Sequence, residues 1–310
     1  MALIYVSAWS DAAIWRAEVA KHLPGETLRV WPEVGRAEEI DVALVWKPPH
    51  GALATLPALK LIVNMGVGVD HLMADPQLPK GVPIVRLVDP LMTEQMTEYV
   101  VLGVLTGLRR LLDYRALQAE QRWVEIERNV APPSHRTVGV MGLGELGGDA
   151  ARAFRALGFK VAGWSRSPKH IEGVETFHGM DRLEAFLGRC DAVVCLLPLT
   201  PETRGIVNAR TIAAMKPGAW FVNGARGGLV VDADLLAALD SGHLSGAFLD
   251  VFNEEPLPAG HPYWRHPKVI VTPHIAALTL PGMSEQIMDA VKRHKAGQPL
   301  RNVVDPIRGY

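Results

Sequence analysis

Residues 138–158 read VGVMGLGELGGDAARAFRALG. The apolar run 138–141 has the composition of a buried strand, and DAARAFRALG that of a helix. Between them Gly142, Gly144 and Gly147 satisfy GxGxxG, with Glu145 and Leu146 filling the spacing. A strand before the glycines and a helix after them turn a common pattern into a specific one, the loop that holds the pyrophosphate of a dinucleotide. One glycine is needed for the tight turn, a second for close backbone approach to the phosphates, and a third for close packing of helix on strand. The helix start then offers unpaired N–H groups and the positive end of its dipole.

In a site selective for NAD, an acidic residue about twenty positions further on, at the end of the next strand, holds the ribose hydroxyls. Here KVAGW is followed by Ser165, Arg166 and Ser167. A guanidinium flanked by two hydroxyls suits a 2′-phosphate, so the expected cofactor is NADP(H), with NAD(H) still possible.

Outward from this loop, short β-rich runs alternate with helical stretches: 3–7, 42–46, 61–64 and 83–87 before it, then KVAGW, DAVVCLL, AWFVN, GAFLD and KVIVTP after it. Alternation of this kind predicts parallel sheets with crossover helices. Continuous apolar strands are expected where helices cover both faces of a sheet. A mostly helical stretch, 94–121, and the breaker-rich NVAPPSHR (129–136) separate the two halves. Asp232 is placed to cap the helix in DADLLAALD, and Gly242 to terminate it. A last amphipathic helix spans 283–296 and is closed by Gly297. The expected organisation is a discontinuous first domain, residues 1–98 completed by 281–310, and a dinucleotide domain over 99–280.

The 310 residues carry 32 basic and 33 acidic side chains, a formal net charge of -1, and no global field favours a polyanion such as nucleic acid. The N-terminus lacks the features of a signal peptide. The apolar stretch 99–108 is about half the length a bilayer requires, so neither export nor a membrane anchor is expected. Two cysteines, Cys190 and Cys195, lack metal or redox spacing and read as buried reduced thiols, in keeping with a cytoplasmic protein. No metal site is expected.

Beyond the glycine loop, CLLPLTPETRGIVN (195–208), NGARGGLV (223–230), GAFLDVFNEEPLP (246–258) and VTPHIA (271–276) follow in order. The chain thereby resembles the D-isomer-specific 2-hydroxyacid dehydrogenases over nearly its whole length. Through LVWKPP (44–49), MGVGVD (65–70), EQMTEYVV (94–101), LQAEQRW (117–123) and the closing RGY (308–310) it is most similar to members that reduce glyoxylate and hydroxypyruvate. The resemblance implies two doubly wound parallel-sheet domains, flavodoxin-like and Rossmann, with a cleft between them. It also implies a homodimer acting on a small 2-oxo or 2-hydroxy acid.

The resemblance implies three catalytic positions, which fall on Arg226, Glu255 and His274. A histidine can give and regain the proton that carbonyl reduction needs. A carboxylate on its other ring nitrogen would orient the ring and favour its protonated form, and an arginine can fork the substrate carboxylate while polarising the carbonyl. Glu254 competes with Glu255, and the family pattern selects the acid that directly precedes proline. The resemblance further places the backbone N–H groups of Val67 and Gly68 on the substrate carboxylate, Asp250 on the nicotinamide carboxamide, and Pro198 beside the cofactor. Trp123 is either an aromatic delivered over a neighbouring subunit's pocket or a core residue. Lactate- or phosphoglycerate-type dehydrogenases, and a dinucleotide-sensing corepressor, are the alternative readings.

Overall fold

The computed structural model describes residues 2–7, 12–126 and 131–305. The chain divides into two compact units, Met1–Met92 with Thr279–Tyr310, and Thr93–Leu278. Ala8–Asp11, Asn129, Val130 and the RGY motif lie outside the described residues.

The first unit contains β1 (Ala2–Ser7), α1 (Ala12–His22), β2 (Thr27–Val30), β3 (Ile40–Trp46), β4 (Leu61–Asn64), α2 (Asp70–Met73) and β5 (Ile84–Arg86), joined by the C-terminal helix Ser284–Lys295. All strand pairs are parallel, in the order β2-β1-β3-β4-β5. That is the flavodoxin-like order. Central strands are apolar on both faces because helices cover both, and all four residues of β4 (LIVN) are buried.

The helix α3 (Pro90–Leu108) leads into the second unit, which continues with α4 (Leu111–Ala119), β6 (Thr137–Met141), α5 (Glu145–Ala156), β7 (Lys160–Ser165), β8 (Glu175–His178), α6 (Leu183–Leu187), β9 (Ala192–Cys195), α7 (Ala209–Ala213), β10 (Ala219–Asn223), α8 (Asp232–Asp240), β11 (Leu244–Leu249) and β12 (Val269–Val271). The sheet order is β12-β11-β10-β9-β6-β7-β8, again all parallel. Reading outward from β6, this is the Rossmann order extended by one strand, with the direction of winding reversing between β6 and β9. One core, built around Met141, Phe186, Val193 and Phe221, packs on one face of the sheet. A second, around Val100, Val140, Phe154 and Val194, packs on the other.

The mostly helical stretch 94–121 divides into two helices, because Arg110 takes left-handed backbone (φ 54°) and the Arg136 guanidinium bonds the Leu108 carbonyl at 2.6 Å, closing α3. Asp232 does not cap α8: Val231 holds the cap position, while the Asp232 carboxylate accepts from Asn253 at 2.8 Å and from the Tyr263 hydroxyl at 2.9 Å. Two of the four edge strands, β2 (TLRV) and β8 (ETFH), escaped the sequence reading because polar residues interrupt them, whereas the edge strands β5 (IVR) and β12 (VIV) keep an apolar run. Gly242 and Gly297 do terminate their helices, with φ of 78° and 62°.

Candidate active site

The three glycines of the loop differ in what surrounds them. Gly142 has φ of 100°, and a Cβ there would lie 2.7 Å from the Leu196 carbonyl oxygen. At Gly147 an added Cβ would overlap the Gly142 carbonyl oxygen, so helix and turn close only on glycine. Gly144 differs, since a Cβ there would meet nothing within 4 Å. It stands at the start of α5 with no side chain capping the helix. The first N–H groups of a helix have no intrahelical acceptor, so those around Glu145 and Leu146 remain for an anion, and the open space over Gly144 admits it. These residues fit the pyrophosphate of a dinucleotide. Pro198 follows β9, the strand beside β6, and its carbonyl accepts the Thr203 hydroxyl at 2.7 Å.

At the end of β7, Ser165 is buried and its hydroxyl donates to the Ser167 carbonyl at 2.8 Å, so its proton shapes the turn. Arg166 and Ser167 are exposed. The Glu202 carboxyl is held below its ordinary range, first by the Thr200 hydroxyl and also by the Arg166 charge.

In NGARGGLV, Asn223 closes β10 and is buried; its amide donates to the Arg226 carbonyl at 3.0 Å and its oxygen accepts from Ala225 N–H at 3.1 Å. Gly227 is obligatory, since a Cβ would overlap the Phe252 and Asn253 backbone. Arg226 is thereby anchored by its main chain, with one guanidinium N–H on the Ala225 carbonyl at 2.7 Å.

His274 Nδ1 lies 2.8 Å from Glu255 Oε2, and the other carboxylate oxygen accepts from Phe252 N–H at 3.1 Å. Of the two neighbouring acids, Glu255 meets the imidazole and Glu254 is exposed. His274 itself sits at φ 57°, a conformation unusual for a non-glycine residue that needs support from its surroundings. Asp250 provides it. Wholly buried, its carboxylate accepts from Thr272 Oγ1 at 2.6 Å and from the N–H groups of Ile275 and Ala276, each at 2.8 Å, and its carbonyl accepts His274 N–H at 2.9 Å. Tyr99 on α3 bonds the same threonine at 2.6 Å.

In the first unit, Val67 and Gly68 lie in the turn between β4 and α2. Asn64, the last residue of β4, donates to the carbonyls of Gly66 and Gly68 at 2.7 and 3.0 Å. Neither Asn64 nor Asn223 was singled out from the sequence. The shared signal was available, an asparagine ending an apolar run in LIVN and in WFVN.

Trp123 is 97% exposed, which removes the core reading. Cys190 and Cys195 are free and buried, and burial pushes both thiols up to about 12. Among the described residues no His, Cys, Asp and Glu cluster could hold a metal, and no helix is long and apolar enough to cross a membrane.

Residues 101–276 match the model of the D-isomer specific 2-hydroxyacid dehydrogenase NAD-binding domain. The glyoxylate/hydroxypyruvate reductase A of Serratia proteamaculans is 42% identical, with both chains covered in full. A D-isomer specific 2-hydroxyacid dehydrogenase from Xanthobacter autotrophicus, solved in complex with NADPH and MES, superposes with a TM-score of 0.93 at 44% identity, covering 100% of this chain and 99% of that one. The NADPH-dependent glyoxylate/hydroxypyruvate reductase of Sinorhizobium meliloti, solved with NADP and sulfate, gives 0.92 at 41% identity over 100% and 99% of the two chains. Two doubly wound sheets, one with a phosphate loop and a histidine–carboxylate pair, thus define a nicotinamide-dependent oxidoreductase. The chain belongs to the D-isomer specific 2-hydroxyacid dehydrogenase family.

Proposed function

We propose that this protein reduces small 2-oxo acids, converting glyoxylate to glycolate and hydroxypyruvate to D-glycerate, with NADPH preferred. The observation that carries the proposal is the 2.8 Å contact of His274 Nδ1 with Glu255 in a turn braced by Asp250. With Nδ1–H donated to a carboxylate, Nε2 is the nitrogen that delivers a proton to the carbonyl oxygen. The dinucleotide, when bound, supplies the hydride for the carbonyl carbon. Arg226 forks the substrate carboxylate and polarises the carbonyl, and the backbone N–H groups of Val67 and Gly68 are further carboxylate donors. Asp250 acts first through the His274 turn, and its contact with the nicotinamide carboxamide is the role the family resemblance implies. The relatives favour this reading over a lactate or phosphoglycerate dehydrogenase and over a corepressor. The deciding experiment follows NADPH oxidation by purified protein with glyoxylate and hydroxypyruvate and identifies the products; failure to turn over either acid overturns the proposal.

Arg166 is proposed to bind the 2′-phosphate. A hydrogen bond to a charged group is typically worth about 1.5–3 kcal/mol, so Arg166→Ala is expected to raise KM for NADPH roughly ten- to hundredfold while leaving NADH nearly unchanged. Solvent screening at an exposed site draws the effect toward the lower figure. Wild-type kcat/KM values equal for the two cofactors, or higher for NADH, would contradict this assignment.

The protein is further proposed to act in the cytoplasm, consistent with two reduced, buried thiols, and as a homodimer in which Trp123 reaches the neighbouring subunit's pocket. Leu102 on α3 and Leu111 on α4 are about half exposed, and with Trp123 they form the apolar material for such an interface. Trp123→Ala is expected to raise KM for the 2-oxo acid; a single-chain mass by light scattering rules out the dimer.

A further inference from the structure

Asn64 is wholly buried at the C-terminal end of β4. Both N–H bonds of its amide go to the turn that follows, one to the Gly66 carbonyl at 2.7 Å and one to the Gly68 carbonyl at 3.0 Å. A trans peptide is planar, with its carbonyl and its N–H pointing in opposite directions. Two peptide planes, 66–67 and 68–69, are therefore fixed with their oxygens on one amide, and the N–H groups of Val67 and Val69 point away from it. Among the described residues the N–H groups of Val67, Gly68 and Val69 donate to no protein acceptor. Consecutive N–H groups without acceptors form an anion-binding concavity.

The turn is held from a second side as well. The six-membered ring of Trp46 lies against Gly66 so closely that any Cβ there would overlap it, and Trp46 packs edge-on against His71 at a centroid distance of 5.1 Å. The Gly66 carbonyl also accepts Leu87 N–H at 3.2 Å. Packing thus fixes where the turn runs, while the Asn64 amide, joined at the Gly66 carbonyl by Leu87 N–H, fixes how its peptide planes are rotated. Asn64 Oδ1 is buried with no hydrogen-bond partner among the described residues. An unpaired buried acceptor is unfavourable, so the side chain is present for its two donors. Asn223 does related work at the end of β10, bonding the backbone on either side of Arg226.

We propose that Asn64 is a positioning residue for substrate: it holds the 65–69 turn so that backbone N–H groups at Val67 and beyond converge on the carboxylate of the 2-oxo acid. The proposal rests on reading this turn as the carboxylate's donor set, and it adds the side chain that aims the donors. Loss of the amide lets the planes rotate and weakens the carboxylate contact, with no effect on dinucleotide binding or on the His274 pair.

The test is Asn64→Leu, similar in volume and without donors, with Asn64→Ser as the milder variant that retains one O–H donor. For Asn64→Leu, KM for glyoxylate should rise about tenfold or more, the loss expected for weakened hydrogen bonds to a charged group, with kcat and KM for NADPH within about twofold of wild type. Asn64→Ser should fall between the two. A purely structural role lowers the folded fraction, which reduces apparent kcat and leaves KM unchanged; that split overturns the proposal. Oxalate binding to the protein–NADPH complex, measured by calorimetry, separates this proposal from the activity itself. Weaker oxalate binding by the leucine variant supports the positioning role even if wild type turns over neither acid, and undiminished oxalate binding refutes it whatever the activity. If Asn64→Leu does not fold, the serine variant carries the same two readouts.

Discussion

His274→Asn is expected to lower kcat for 2-oxo acid reduction by about 10²–10⁴-fold, the range a positioned general acid contributes. Asparagine fills similar space and can occupy left-handed backbone, so the turn at φ 57° and its bonds to Asp250 should persist. NADPH binding, measured by fluorescence titration, should be unchanged, because the glycine loop has its own supports around Gly142 and Gly147. Undiminished turnover would show that the proton comes from elsewhere. Glu255→Gln addresses the same pair from the other side. The carboxylate at 2.8 Å from Nδ1 orients the ring through a charge-assisted bond, whereas the amide offers only a neutral oxygen. The kcat should therefore fall with NADPH binding unchanged. An undiminished kcat would separate Glu255 from the proton transfer.

The parts of this molecule that were legible in its sequence are those where residue type is forced by backbone geometry or by local apolar content. Gly142 and Gly147 tolerate no Cβ, and the buried strands β6, β9, β10 and β11 are continuous apolar runs. The edge strands β2 and β8, interrupted by polar residues, lack that signal and were missed. The break between α3 and α4 was hidden for another reason: it depends on Arg136, 28 positions beyond Leu108, whose guanidinium closes the helix. Asp232 shows the converse failure, a residue with a local capping preference drawn into bonds with Asn253 and Tyr263. The site follows the same division. His274, Glu255 and Arg226 stood out through motif order, and of two adjacent acids it is Glu255 that contacts His274. The residues that hold them could not be found that way, since Asp250 acts through three bonds to a turn beginning 22 positions later and Asn64 through carbonyls that no side-chain pattern records.

Arg226→Lys is expected to lower kcat/KM for glyoxylate by about 10²–10³-fold, comparable to removing one donor aimed at charge that develops in a transition state. Lysine keeps the positive charge and loses the planar fork, so the long-range attraction for a carboxylate remains while two parallel bonds cannot form. The backbone at this position is set independently of the side chain, by Asn223 on the Arg226 carbonyl and by the close approach of Gly227 to Phe252, so the substitution should leave the loop in place. Its effect then divides between two kinetic constants. If the guanidinium grips the carboxylate and also polarises the reacting carbonyl, KM rises and kcat falls together. The carboxylate part is present in ground and transition states alike and registers in KM, whereas the developing negative charge on the carbonyl oxygen is stabilised only as hydride arrives and registers in kcat. A rise in KM with kcat preserved would make Arg226 a binding residue alone and leave His274 as the sole group acting on the carbonyl oxygen.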